Sequence, residues 1–152
     1  LSNAQIETRR SAHNLAPLNL LKHGLIGALR QFSLENSTSK IVITFNANVA
    51  EVDLSKENSL LIYRVTQELV QNALKHASPS QIDVQVMIDK LELRLTVEDD
   101  GVGFDSSAEF LSHGLLNINY RAQKIGCEFE INSSINGAGT VALFSLPLMH
   151  IN

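Results

Sequence analysis

The stretch Val97-Glu98-Asp99-Asp100-Gly101-Val102-Gly103-Phe104-Asp105 joins an apolar strand to an acidic turn that contains two glycines. Upstream, polar and apolar residues alternate, and the apolar ones are Leu91, Leu93, Leu95 and Val97. This period of two predicts a strand with one buried face, and Asp99 takes the next buried position. Because a buried carboxylate without a partner is costly, we expect Asp99 to accept hydrogen bonds, which a ligand could supply. The glycines would allow backbone to approach that ligand closely.

Length and composition limit the functional class. The 152 residues, 44% of them hydrophobic, suffice for one domain with a core. A net charge of −4 with scattered basic residues predicts no nucleic-acid partner. Apolar runs fall short of the roughly 18–20 residues of a membrane helix, so we expect no membrane contact by this chain. The single cysteine, Cys127, favours a reducing compartment and thus a cytoplasmic location, compatible with a longer parent anchored in the inner membrane.

The first third of the chain has a helical pattern. Its apolar positions recur at steps of three and four, at Leu15, Leu18, Leu21, Leu25, Leu29 and Phe32. This spacing predicts an amphipathic helix from about Thr8 to Leu34. Gly24 and Gly27 weaken it, so it should lean on the following domain or on a second copy. We divide the chain into a vector-derived remnant at 1–4, this helix and a linker at 5–37, and a main domain at 38–152.

A second helix is predicted from about Lys56 to Ala77, with an N-cap at Asp53 to Ser55 and an end before Ser78-Pro79. One face begins apolar and becomes polar, and its polar residues are Glu68, Asn72, Lys75 and His76. This polar half either emerges into solvent as ordinary surface or lines a polar pocket.

The remaining elements are strands around Ile41 to Phe45 and Ile82 to Ile88, a hairpin turn at Asp89-Lys90, and a strand ending at Asp99. A short cover at 105–112 precedes a helix that opens at His113-Gly114. This helix should bury Leu115, Ile118, Ala122 and Ile125 and stop at Gly126. Two strands, 127–131 and 140–146, close the chain. This order predicts an α/β fold, in the form of an α+β two-layer sandwich. Its mixed, mostly antiparallel sheet is covered on one face by about three helices, in addition to the N-terminal helix.

Six of the eight glycines follow Asp99, at positions 101, 103, 114, 126, 137 and 139. Gly126 and Gly137 are explained by a helix stop and a turn. Gly114, in contrast, precedes a helix whose free N–H groups and positive dipole end suit a phosphate. Neither the Gly-x-x-x-x-Gly-Lys-Ser/Thr loop nor a Gly-x-Gly-x-x-Gly turn after a strand is present, so neither common nucleotide scaffold applies.

Four motifs together resemble the GHKL ATP-binding superfamily, which has the Bergerat fold. Gln67-Glu68-Leu69-Val70-Gln71-Asn72-Ala73-Leu74-Lys75-His76-Ala77 resembles its N box, and Asp99-Asp100-Gly101-Val102-Gly103-Phe104 its first glycine box. His113-Gly114-Leu115 resembles the second glycine box, and Gly137-Ala138-Gly139-Thr140 the closing element. Order and spacing over 38–148 most resemble the catalytic domain of bacterial sensor histidine kinases, in the short-lid subfamily of nitrate and membrane-fluidity sensors.

The resemblance implies roles for individual residues, with ATP and Mg²⁺ as ligands. Asp99 would accept a hydrogen bond from the adenine amino group, and Asn72 would hold Mg²⁺. Lys75 and His76 would face the phosphates. Glu68 would be the catalytic residue that polarises, or accepts the proton of, the phosphoacceptor histidine. The further nucleotide-binding positions implied are Gly101, Gly103, His113, Gly114, Leu115, Gly139 and Thr140.

The resemblance also implies partners: a phosphoacceptor helix domain, a second copy of the full-length protein and a response regulator. Arg9-Arg10-Ser11-Ala12-His13-Asn14-Leu15-Ala16-Pro17 resembles the second dimerisation helix, so the phosphoacceptor helix should be missing. We expect His13 to be a packed or capping residue rather than the acceptor. An ATP-sensing interaction module and an anti-sigma-factor-type serine kinase remain alternatives. Topoisomerase-like or chaperone-like hydrolysis is disfavoured because those relatives need large extra domains.

Overall fold

A computed structural model describes residues 2–103, 113–133 and 139–148, with side chains from residue 18 onward except that of His113. The elements are α1 (Ser2–Asn36), β1 (Val42–Ala47), α2 (Lys56–His76), β2 (Gln81–Ile88), β3 (Glu92–Asp99), α3 (His113–Lys124), β4 (Glu128–Ser133) and β5 (Thr140–Pro147). The expected cover at 105–112, and Phe104, Gly137 and Ala138 of the quoted motifs, lie outside the described residues.

One five-stranded sheet has the order β1-β2-β3-β5-β4. The pair β1–β2 is parallel, with α2 in the crossover, and the other three pairs are antiparallel. In this register Asp99 at the end of β3 lies between Ile82 of β2 and Thr140 of β5. The predicted mixed, mostly antiparallel sheet is confirmed.

The helices cover one face of this sheet. Alternate residues of the strands are buried against them, including Ile82, Val84, Val86, Leu93, Leu95, Val97, Ala142, Phe144 and Leu146. α2 contributes Ile62, Val65, Leu69, Val70 and Ala73 to the same core. Burial alternates strictly along β2 and β3, with the two-residue period that the sequence predicted. One face of these strands contacts the helices and the other faces solvent.

The start of α2 at Lys56 is as predicted, and its end at His76 lies one residue before the predicted end at Ala77. The agreement is close because the capping signals act locally. The Ser55 side chain accepts a hydrogen bond from the Asn58 N–H at 3.1 Å, and Ala77 is the C-cap. Glu57 in the first turn and Lys75 and His76 in the last turn complement the helix dipole.

The turn between β2 and β3 differs from the prediction by one residue. The Asp89 carboxylate accepts hydrogen bonds from the N–H groups of Leu91 and Glu92 at 2.7 and 2.9 Å, and the Asp89 N–H donates to the Glu92 carbonyl. Lys90 and Leu91 therefore form the tip, not Asp89 and Lys90. Leu91 is 74% exposed, so its expected inward position is wrong because the aspartate-stabilised turn ends the alternation at Leu93.

α3 ends at Lys124, which corrects the expected burial of Ile125. The N–H of Cys127 donates to the carbonyl of Ala122, and that of Gly126 to the carbonyl of Gln123, as in a Schellman motif. Gly126 has a φ of +78°, which turns the chain away from the helix. Ile125 is consequently 48% exposed instead of continuing the buried face.

The apolar stripe predicted along α1 is interrupted. Leu25, Leu29 and Phe32 are buried, whereas Leu18 and Leu21 are exposed, and the change falls at Gly24, where the backbone is not helical. Among the residues that the structure describes, no helix combines the length and apolar character required to cross a membrane.

Candidate functional site

Asp99 is buried at the end of β3, as its position in the alternation predicts, and is 7% exposed. Its Oδ1 accepts a hydrogen bond from the Gly101 N–H at 2.8 Å, and the Thr140 backbone also bonds to the carboxylate. Burial raises the pKa of Asp99, while these two backbone donors act to lower it. Backbone donors thus hold this buried carboxylate at the end of the sheet. Its register neighbours in β2 and β5, Ile82 and Thr140, carry no positive charge that could compensate it.

The backbone at the start of β5 packs tightly against the end of β3, the strand that carries Asp99. A Cβ added to Gly139 would lie 2.0 Å from the Asp99 carbonyl oxygen, so no side chain fits there. The next residue, Thr140, shares a hydrogen bond of 2.8 Å with the Ser133 hydroxyl of β4. Ser133 was not identified from the sequence, although it faces Thr140 in the β4–β5 register. The fold therefore brings Gly139 and Thr140 next to Asp99. The resemblance of their motifs had implied that these residues belong to one site.

The end of β3 is also fastened to the C-terminus of α2. A Cβ on Gly101 would lie 2.2 Å from the Ala77 carbonyl oxygen, which accepts a hydrogen bond from the Val102 N–H at 2.8 Å. Asp100 accepts hydrogen bonds from the N–H groups of Ser80 and Gln81 at 2.8 and 3.0 Å. The sequence analysis assigned no contact to the Ala77 carbonyl or to Ser80, because neither group belongs to a pattern that indicates one. The two adjacent aspartates thus differ in role: Asp99 is buried in the site and Asp100 is an exposed anchor.

The polar half of α2 leads from this junction towards α3. Glu68, Asn72, Lys75 and His76 follow helical steps along one face, with Glu68 and Asn72 half-buried and Lys75 and His76 exposed. Since Ala77 contacts Gly101, this face begins beside the Asp99 turn. At its other end Glu68 meets α3 rather than open solvent, which favours the pocket over ordinary surface.

The contact between Glu68 and α3 is close. A Cβ on Gly114 would lie 2.1 Å from Glu68 Oε1 and 2.3 Å from Cδ. The carboxylate therefore lies against the first turn of α3, where free N–H groups and the positive dipole end favour a negative charge. Leu115 is buried beneath this turn, and Gly103 is half-buried at the end of the first described segment.

Two arginines, Arg64 on α2 and Arg121 on α3, lie close enough to influence each other. Arg64 lies one turn before Glu68, with its Nη1 3.4 Å from Gln67 Oε1. Burial lowers the pKa of Arg64, and the positive charge of Arg121 on α3 lowers it further, against an opposing effect of Tyr63. Neither arginine was singled out from the sequence, because a lone basic residue on a helix is usually solvated surface.

The chain is similar to a family of ATPases and to several sensor histidine kinases. The family described as histidine kinase-, DNA gyrase B- and HSP90-like ATPase matches residues 57–150. An uncharacterized sensor-like histidine kinase of Chloroflexus aurantiacus is 32% identical over 153 residues, which cover 93% of this chain and 25% of that protein. The signal transduction histidine-protein kinase/phosphatase DegS of Bacillus subtilis is 34% identical, covering 87% of this chain and 36% of DegS. The chain thus spans about a quarter to a third of these relatives.

Solved structures share the fold. The Erythrobacter litoralis EL346 blue-light activated histidine kinase superposes with a TM-score of 0.75 at 23% identity, over 95% of this chain and 50% of that one. The Acinetobacter baumannii histidine kinase AdeS gives a TM-score of 0.65 at 10% identity, over 99% and 82% of the two chains. At these identities the likeness concerns the architecture.

Proposed function

Because the chain belongs to the family of histidine kinase-, DNA gyrase B- and HSP90-like ATPases, we propose that it is the ATP-binding catalytic domain of a sensor histidine kinase, which transfers the γ-phosphoryl group of ATP to a histidine. The observation that carries the proposal is the arrangement of two carboxylates. The buried Asp99 lies at one end of the site, and Glu68 lies against the first turn of α3 at the other.

In this proposal Asp99 recognises the adenine base. Its carboxylate is fixed by the Gly101 and Thr140 backbone, and it accepts a hydrogen bond from the adenine amino group. Gly101 and Gly139 keep the surrounding backbone close, since a Cβ at either position would collide with a carbonyl oxygen. Gly103 and Thr140 complete the adenine side.

The phosphate end lies between α2 and α3. Lys75 and His76 are exposed and can approach the phosphates, and the first turn of α3, with His113, Gly114 and Leu115, offers N–H donors. Asn72 would supply one uncharged oxygen for Mg²⁺, a hard cation that prefers oxygen ligands and keeps several of its waters. Among the described residues there is no group of three or more His, Cys, Asp or Glu side chains that could hold a metal ion. When bound, Mg²⁺ neutralises charge on the phosphates.

Glu68 serves the transfer step. The attacking imidazole nitrogen forms a bond to the γ-phosphorus as the bond to the ADP oxygen breaks, and the imidazole proton passes to Glu68. The α3 N-terminus and Lys75 stabilise the charge on the moving phosphoryl group. The acceptor is on a separate helix domain, and the full-length protein works as a homodimer that passes the phosphoryl group on to a response regulator in the cytoplasm.

The test combines nucleotide binding with transfer to an added phosphoacceptor domain of a sensor kinase. For the unmodified chain we expect Mg·ATP binding by calorimetry and phosphohistidine on the acceptor. Glu68→Gln should keep ATP binding and reduce transfer by about 10²–10⁴-fold, the usual contribution of general acid–base catalysis. Binding without transfer to any histidine or serine acceptor would instead favour an ATP-sensing module, and transfer to serine alone an anti-sigma-factor-type kinase.

A further inference from the structure

The two edges of the sheet differ in how they are covered. At the β1 edge, the strand contacts α1. The hydroxyl of Ser37, just after α1, accepts a hydrogen bond from the Ile43 N–H at 2.9 Å and donates one to the Ile43 carbonyl at 3.3 Å. Arg30 of α1 lies over the ring of Phe45, 5.3 Å from its centroid. These contacts close the β1 edge to a further strand.

The opposite edge of the sheet is formed by β4. In the part of the chain that the structure describes, β4 pairs with β5 alone and ends the strand order. Alternate residues of an edge strand direct their N–H and C=O groups away from the sheet, where a further strand can bond to them. The sequence of β4, Glu-Phe-Glu-Ile-Asn-Ser, contains neither the proline nor the lysine that often prevents such pairing. The β4 edge is therefore suited to pairing with another strand.

The side chains of β4 define what an added strand should carry. Phe129 and Ile131 are half-buried and pack against the core, and the ring of Phe129 lies 6.4 Å from that of Phe144. Glu128 and Glu130 are exposed on the other face. Side chains of neighbouring strands lie next to each other on the same face of a sheet. Apolar residues of the added strand would therefore contact Phe129 and Ile131, and basic residues would lie beside the two glutamates.

The charge of β4 also distinguishes between possible partners. The β5 neighbours of the two glutamates are uncharged, because Glu128 lies opposite Ser145 and Glu130 opposite Leu143. Pairing of β4 with the same strand of a second copy would bring the glutamates of both copies onto one face, where like charges on neighbouring strands are destabilising. Charge therefore disfavours self-association through this edge and favours a positively charged segment.

We propose that β4 is the docking edge for a partner protein that adds an extended segment of alternating basic and apolar residues to the sheet. Backbone hydrogen bonds provide affinity, and the alternation of glutamates with Phe129 and Ile131 provides specificity. Asp99 of the proposed nucleotide site is on β3, two strands away from β4. The docking edge is therefore distinct from that site and does not depend on nucleotide binding or phosphotransfer.

The first test uses the whole chain and a peptide of alternating lysine and valine that is six residues long, as β4 is. Amide hydrogen exchange should slow in alternate residues of β4 when the peptide is added, and exchange in β1 should not change. The control peptide is N-methylated at every peptide bond, which keeps its charge and side chains but removes its backbone donors. Its affinity in an NMR titration should be lower by at least about tenfold. Unprotected β4 amides, or equal affinities for the two peptides, would overturn the proposal.

The second test concerns the charge of the edge. A double variant, Glu128→Gln with Glu130→Gln, should bind the lysine–valine peptide about two- to tenfold more weakly, since two exposed ion pairs are lost. The matched control is Glu51→Gln with Asp53→Asn, which removes two exposed carboxylates before α2 and should leave the affinity unchanged. Equal affinities of the two double variants contradict the proposed specificity. Protection of β4 that grows with protein concentration without peptide would instead show pairing with a second copy and overturn the proposal.

Discussion

The Glu68 carboxylate occupies the space that a side chain on Gly114 would fill, with Oε1 2.1 Å from the position of the added Cβ. The position of Glu68, which is proposed to accept a proton, therefore depends on the absence of a side chain at Gly114 on α3. Both groups lie at the start of α3, where a phosphate would also be attracted. The effect of a substitution at Gly114 should therefore arise mainly from displacement of the Glu68 carboxylate.

Gly114→Ala should displace the Glu68 carboxylate or push α3 away from α2. Overpacking of this kind costs about 1–3 kcal/mol of folding stability. We expect transfer to an acceptor domain to fall more than ATP affinity, because in the proposed site the phosphates would also contact Lys75 and His76. Calorimetry and a phosphohistidine assay on the same preparation separate the two effects. In the Glu68→Gln background, Gly114→Ala should add little further loss of transfer, and full additivity would argue against coupling.

Asp99 and Asp100 offer a matched pair of neighbouring substitutions. Asp99→Asn replaces a charged acceptor by a neutral one, so ATP affinity should fall about ten- to a hundredfold, as for a hydrogen bond to a charged group. Asp100→Asn should leave affinity near that of the unmodified chain, since Asp100 bonds to Ser80 and Gln81. Titration calorimetry with Mg·ATP measures both, and equal losses would contradict the assignment of Asp99 to the base.

The raised pKa of Asp99 predicts the direction of a pH effect. The folded protein holds the Asp99 proton more tightly than the unfolded chain, so ionised Asp99 opposes folding. This contribution is absent below the unfolded pKa, grows as pH rises from that value to the folded pKa, and is constant above it. We therefore compare the free energy of unfolding of Asp99→Asn with that of the unmodified chain at two pH values. The difference should favour the variant more at pH 7 than at pH 3. Urea unfolding of both proteins at each pH gives the difference, and the reverse sign would refute the raised pKa.

Gly101→Ala tests the fastening of β3 to α2. The added Cβ would lie 2.2 Å from the Ala77 carbonyl oxygen, a backbone atom that cannot rotate away. We expect a loss of about 1–3 kcal/mol in the free energy of unfolding by urea titration. Val102→Ala, at an adjacent side chain that is 53% exposed, is the control and should stay within about 0.5 kcal/mol of the unmodified chain. A Gly101→Ala protein as stable as this control would show that the two elements separate easily.

Several features follow from sequence because their causes are local. The two-residue period assigned Asp99 to the buried face, and Ser55 and Ser78-Pro79 marked the ends of α2. Helical steps put Glu68 and Asn72 on one face without reference to the rest of the chain. Order and spacing of the motifs pointed to the family that matches residues 57–150.

Other features required the tertiary structure. The contact between Glu68 and Gly114 depends on how α2 and α3 dock, and the bond from Ser80 to Asp100 depends on the end of β2 lying beside that of β3. The kink at Gly24 is a choice of backbone dihedral that the apolar spacing of α1 does not encode. The sequence by itself therefore determined which residues face inward and which motifs they form, since periodicity and capping act within a few residues. Only the tertiary structure decided which of them touch, because those contacts join segments far apart in the chain.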